Sequence, residues 1–278
     1  VRAISALLLV ALATPPLAAQ QGDTTLAFLR PAGQTAQDAL RAYKERTYEP
    51  LRISEVRAAG FLTEGALMPF GRSLGPVTPQ MVATAGNTAA MLVGSAFAVQ
   101  PPEGGRYAVG DTLIVATSHP GPREWGDAIV PTGMVRVVEV SDRQTITEVV
   151  TIYGPMRSGQ VVYPAEPVAS PGRVTPVATP DGPSGIVLAS RTPRELQMPG
   201  GLLFTDLGRE DGMRLGDFVQ VRRRPGPRVN AADSVDELMA TAQVVHVGPR
   251  SSTIRVIEVM SPEVQPGAPV VRVATLPN

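Results

Sequence analysis

Arg106-Tyr107-Ala108-Val109-Gly110-Asp111-Thr112-Leu113-Ile114-Val115-Ala116 and Gly212-Met213-Arg214-Leu215-Gly216-Asp217-Phe218-Val219-Gln220-Val221-Arg222 are two versions of one pattern, 106 residues apart. Each places Gly-Asp ahead of a strand-like run. Glycine supplies the positive φ that a reversal needs, and the Asp carboxylate bonds to nearby backbone amides. Gly110, Asp111, Gly216 and Asp217 are therefore read as turn residues, with Gly212 opening the second turn. The likeness continues outward. Pro120 to Arg123 matches Pro225 to Arg228, and Val137-Val138-Glu139-Val140 matches Val244-Val245-His246-Val247, with Arg143 and Arg250 just beyond. A Thr-rich strand follows in both, then a Gly turn at Gly159 or Gly267 into Val161-Val162-Tyr163 or Val270-Val271-Arg272. The chain reads as a duplication of one β module.

Around these blocks, short runs rich in Val, Ile and Thr alternate with Gly and Pro punctuation, the texture of an all-β sandwich or barrel. Examples are Leu113 to Thr117, Met134 to Val140, Thr145 to Tyr153, Phe218 to Arg222, Ala242 to Val247 and Thr253 to Val259. The expected fold is mainly β: two tandem small barrel or sandwich modules, preceded by a short helix and a signal peptide. Pro164 to Pro183 holds six prolines and reads as an extended linker. The expected division is thus 1–19 signal peptide, 20–54 helical segment, 55–164 first module, 165–183 linker and 184–278 second module.

At the N-terminus, Arg2 precedes an apolar run from Ile4 to Ala13 and the close Pro15-Pro16-Leu17-Ala18-Ala19. This has the organisation of a secretory signal peptide with cleavage after Ala19, and the run is too short for a membrane span. Gln34 to Glu49 carries Ala36, Ala39, Leu40 and Tyr43 at helical spacing, with Pro50 as its stop, and a second short helix is expected over Ser54 to Ala59.

Composition narrows the functional classes. The 278 residues include 28 Pro and 27 Gly, 43% are hydrophobic, 25 basic residues balance 25 acidic ones, and Cys is absent. That apolar content is too high for a disordered chain, the zero net charge lacks the footprint of a nucleic-acid binder, and without Cys there are neither disulfides nor thiolate metal sites. With only two His, His119 and His246, no metal-ligand spacing appears, and no Gly-x-Ser-x-Gly elbow occurs. No catalytic group, cofactor or metal is expected.

The candidate contacts are few. Trp125, the single Trp, lies in the polar stretch His119 to Asp127, where its ring offers either a binding anchor or a cap on its own barrel. Tyr107 is the other aromatic candidate for ligand contact. Arg222-Arg223-Arg224 ends a strand and forms a candidate patch for anionic partners, or a device protecting a strand edge.

Gly201-Leu-Leu-Phe-Thr-Asp-Leu-Gly208, then Gly212-Met-x-Leu-Gly216-Asp217-Phe-Val-x-Val221, Ala242-x-Val-Val-x-Val247 and a closing Pro266-Gly267 turn resembles the small β domain that ends flagellar assembly protein T. Related modules occur in exported bacterial proteins that carry LysM motifs. Arg106 to Leu113 itself resembles the opening of a LysM motif over about eight residues, followed here by a β run in place of the LysM helix. The resemblance implies a non-catalytic module of the cell envelope. The expectation is a non-enzymatic periplasmic or secreted protein with an assembly or binding role, whose partner is another envelope protein or a cell-wall polymer. A peptidoglycan-binding protein contacting glycan near Tyr107 or Trp125, and a periplasmic hydrolase with a site across the two modules, are the alternatives.

Overall fold

The computed structural model describes residues 51–77, 91–168, 174–192, 196–223 and 237–277. The signal peptide, the helix over 34–49 and Arg224 lie outside the described residues.

The first module contains β2 (Gly71–Pro76), β3 (Ala96–Gln100), β4 (Thr112–Pro120), β5 (Asp127–Val140), β6 (Thr145–Ile152) and β7 (Val161–Pro164). All neighbouring pairs are antiparallel, in the order β5-β4-β7-β2-β3-β6, and β6 returns to pair with β5. The sheet is therefore a closed six-stranded barrel. The second module contains β9 (Ser184–Ser190), β10 (Leu202–Thr205), β11 (Phe218–Arg223), β12 (Glu237–Val247), β13 (Ser252–Val259) and β14 (Pro269–Thr275). Its pairings run β12-β11-β14-β9-β10-β13 and return to β12. The two rings have one topology, so the sequence repeat is a repeat of fold. Ring closure removes the free edges that an open sheet exposes.

The Gly-Asp turns are superposable in their bonding. Gly110 and Gly216 have φ of 96° and 88°, a region that L side chains rarely adopt. Their amides donate to the carbonyls of Val137 and Val244, and the amides of Val137 and Val244 donate back to Asp111 and Asp217. Each Asp carboxylate accepts the amide three residues earlier, Ala108 at 2.8 Å and Arg214 at 3.0 Å. The turn thus clamps the start of each third strand to its neighbour.

Alternation then decides the core. Leu113 and Val219, Val115 and Val221, Val135 and Ala242, Val137 and Val244, and Val149 and Val256 are equivalent and buried. The last strands correct the sequence alignment by one residue, because Val162 lies opposite Val115 and Val270 opposite Val221. Pro131 is tolerated within β5 because the ladder is irregular there: Val115 pairs with Gly133 and Ala116 with Pro131, leaving Thr132 in a bulge.

Two short strands stand outside the rings. β1 (Phe61–Leu62) extends β5, and β8 (Val177–Ala178) pairs with β14. The second half of the expected linker is thus laid along the second barrel, where Thr179 donates to the Val273 carbonyl and Arg272 to that of Pro183. The short helix α1 occupies Ile53–Ala58, and Glu55 accepts the Arg52 amide at its start. Among the described residues no helix is long and apolar enough to cross a membrane.

Candidate functional site

Residues 51–64 form a strap between the barrels. Its β1 strand pairs with β5 of the first barrel, while its other groups reach the second. Leu51 and Ala59 pack on Val245, and the Glu55 carboxylate pairs with Arg255 at 2.5 Å. Arg191 donates to the Ala58 carbonyl at the open end of α1, and the Thr253 hydroxyl to the Gly60 carbonyl, at 2.7 and 2.8 Å. Unpaired carbonyls at a helix end need such donors.

Glu64 is the centre of this contact. Its side chain is 7% exposed, and its carboxylate accepts the amides of Arg250 and Ser251 and the Ser251 hydroxyl, with the Arg250 guanidinium 3.7 Å away. The backbone at Glu64 has φ 55°, unusual for a residue with a side chain, and is held there by its amide bond to the Trp125 carbonyl and these acceptor contacts. Beside it, the Phe61 ring stacks on His246 with centroids 5.1 Å apart and meets Tyr163 edge-on at 5.8 Å.

Between the strap and the barrels lies a cleft of about 490 Å³. Phe61, Met68, Ile114, Tyr163 and Val247 supply its apolar walls, while Arg57, Arg209, Glu64 and Glu166 supply charge. Burial pushes the His246 imidazole down to about 4; Arg209 acts the same way, and Glu64 opposes it. The ring is therefore neutral near pH 7. The Tyr163 phenol is held above its ordinary value by burial first, then by Glu166 and Tyr153. These groups are arranged to hold and orient: the Glu64 oxygens are consumed by the second barrel, and the His246 ring is covered by Phe61.

The residues singled out by sequence fall elsewhere. Tyr107 is 8% exposed within the first barrel's core, at the position that Met213 fills in the second. This corrects its reading as a ligand contact, since a ring buried in the barrel presents no face for stacking. Trp125 is half-buried between the barrels, against Leu62, Ala128 and Phe204, with the Arg250 guanidinium 5.1 Å from its ring. It caps neither barrel alone but fills the seam between them. At the arginine patch, Arg223 pairs with Glu237 and Glu263 and donates to Ser261, and Arg222 donates to Gln220. Asp217 is fully buried and also accepts the Thr275 hydroxyl at 2.6 Å, with Arg272 at 3.5 Å, whereas Asp111 is exposed. Gly110, Gly212 and Gly216 have positive φ, and Asp111 and Asp217 bond backbone amides at these turns.

Sequence reasoning missed Glu64, Phe61 and Arg57. Gly60-Phe61-Leu62-Thr63-Glu64-Gly65 carries no motif; its only signal is two glycines bracketing a short apolar and polar mix. Among the described residues no three His, Asp or Glu side chains gather to hold a metal ion. No family model, curated protein or solved structure matches the chain.

Proposed function

We propose that the protein is a non-enzymatic binding and assembly element of the bacterial cell envelope, exported through its N-terminal segment. The observation that carries the binding role is the strap: it joins two duplicated barrels into one unit through buried hydrogen bonds and leaves an apolar cleft open beside the joint. Concave, mostly apolar clefts with a few placed polar groups are the usual form of ligand sites. The titratable groups of this cleft favour binding over proton transfer, because Glu64 is saturated and His246 is stacked. The envelope location rests on the signal-like sequence of residues 1–19.

Two measurements test the proposal. A fusion of residues 1–50 to a phosphatase active only outside the cytoplasm should give enzyme activity in a bacterial host, and an inactive, cytoplasmic fusion removes the envelope assignment. Incubated with purified peptidoglycan, the protein should release no soluble fragments. Release that disappears in Glu166→Gln or Asp217→Asn, with folding intact, would establish a hydrolase instead.

A further inference from the structure

The cleft holds two arginines that have no carboxylate partner among the described residues. Arg57, in the last turn of α1, donates only to the Met134 sulfur at 3.4 Å, and its Nε is buried with no acceptor. Arg209, on the loop between β10 and β11, donates only to the Val247 carbonyl at 3.2 Å beyond its own backbone. Among the described residues neither makes an ion pair, whereas Arg250 and Arg255 of the second barrel each find a glutamate of the strap. Arg57 is half-buried with its Nε withdrawn from water and without an acceptor, which is unfavourable, and an added anion relieves that cost, while the exposed Arg209 adds positive charge to the same lining.

The rest of the lining sets the ligand's other end. Phe61, Met68, Ile114, Tyr163 and Val247 form apolar walls, and a volume of about 490 Å³ suits a compact organic molecule. Of the acids in the lining, Glu64 is bound to Arg250 and Ser251, which leaves Glu166, exposed and near Tyr163, as the one unsatisfied acid. A polyanion would meet repulsion from Glu166 and would lose hydration against the apolar walls. A neutral ligand would leave the charge of the half-buried Arg57 unanswered.

We propose that this cleft binds an amphiphilic monoanion, an apolar chain ending in one carboxylate, with the chain along Phe61, Ile114 and Tyr163 and the carboxylate between Arg57 and Arg209. The proposal rests on the cleft being a binding site, and it adds the ligand's chemistry.

Isothermal titration of residues 20–278 with dodecanoate, below its micelle threshold, should show one site per chain. Dodecan-1-ol and dodecylamine, which share the chain but not the charge, should bind at least about tenfold more weakly, since one charge-assisted contact is worth about a decade in affinity. Arg57→Gln and Arg209→Gln should each weaken dodecanoate by a similar factor with unchanged urea unfolding. Ala66→Trp, which fills the cleft from an exposed position of its lining, should abolish binding without touching either arginine. Equal affinity for the alcohol and the carboxylate, indifference to all three variants, or no binding of any probe would each overturn the proposal. Those outcomes leave the envelope reading standing, because the fusion and fragment-release assays decide that separately.

Discussion

The Oε1 atom of Glu64 sits 2.8 Å from the amide nitrogen of Ser251 and 2.6 Å from its hydroxyl, although the two residues are 187 positions apart in the chain. A carboxylate accepting backbone amides in a half-buried loop is a strong contact, and removing it strands the donors. Because Glu64 leaves the first barrel and Ser251 opens β13 of the second, this contact couples the two modules.

Glu64→Gln replaces one acceptor oxygen by an NH₂ facing other donors. The expected cost is about 2–4 kcal/mol. Urea unfolding, expected to be a single transition in the parent, should separate into two transitions as each barrel unfolds on its own. One unsplit transition at an unchanged midpoint would show that the strap does not couple them.

His246 makes the joint acid-sensitive. Its imidazole titrates at about 4 in the folded protein against 6.5 ordinarily. Between those values the unfolded chain binds a proton that the folded chain refuses, so stability is complete above about pH 6.5 and falls as pH drops towards 4. The loss is on the order of 3 kcal/mol, using 1.36 kcal/mol per pKa unit. His246→Phe keeps a ring against Phe61 and removes the titration. Urea midpoints compared between pH 7 and pH 4.5 should differ less in that variant, and equal differences would count against this role.

Asp111 and Asp217 occupy the same turn and should respond differently to Asp→Asn. Asp111 is exposed and its side chain accepts one amide, from Ala108, so its replacement should cost no more than about 1 kcal/mol. Asp217 is fully buried between the Arg214 amide, the Thr275 hydroxyl and Arg272, and its replacement should cost about 3 kcal/mol. Chemical denaturation of the two variants side by side decides the ordering.

Gly60 has φ 78°, and a Cβ there would lie 2.6 Å from the Ile129 carbonyl oxygen. Since its own carbonyl accepts Thr253, Gly60→Ala should both strain the backbone and move the strap off the second barrel. The expected loss exceeds about 2 kcal/mol from the left-handed backbone and the clash together. Thermal unfolding of Gly60→Ala beside Gly65→Ala, whose Cβ would meet nothing, separates the clash from the φ penalty.

The two β modules were readable because their determinants are local, whereas their closure into barrels was not. Alternation in Leu113 to Val115 and Phe218 to Val221 points side chains to fixed faces, and Gly110 and Gly216 accept the φ their turns require. The joint was not readable, because it is made of contacts across more than 100 residues, such as Gly60 with Thr253. Trp125 stood out by composition, yet whether it faced solvent, its own barrel or the seam depended on where Leu62 and Phe204 were brought. Tyr107 misled for a related reason: an aromatic beside a Gly-Asp turn looks accessible until the register aims it inward with Val99 and Val162.

The repeated strand shows where the division lies. Val137-Val138-Glu139-Val140 and Val244-Val245-His246-Val247 follow one pattern, and sequence alone determined that both lie on strands of equivalent β modules. Only the tertiary structure decided that Val245 is fully buried under Leu51 and Ala59, while its counterpart Val138 is 46% exposed. Strand alternation fixes which side chains point out of a barrel, because it is a property of the local backbone. Which outward face is covered depends on the free energy of long-range contacts, here the strap and its Glu64, which local pattern does not encode.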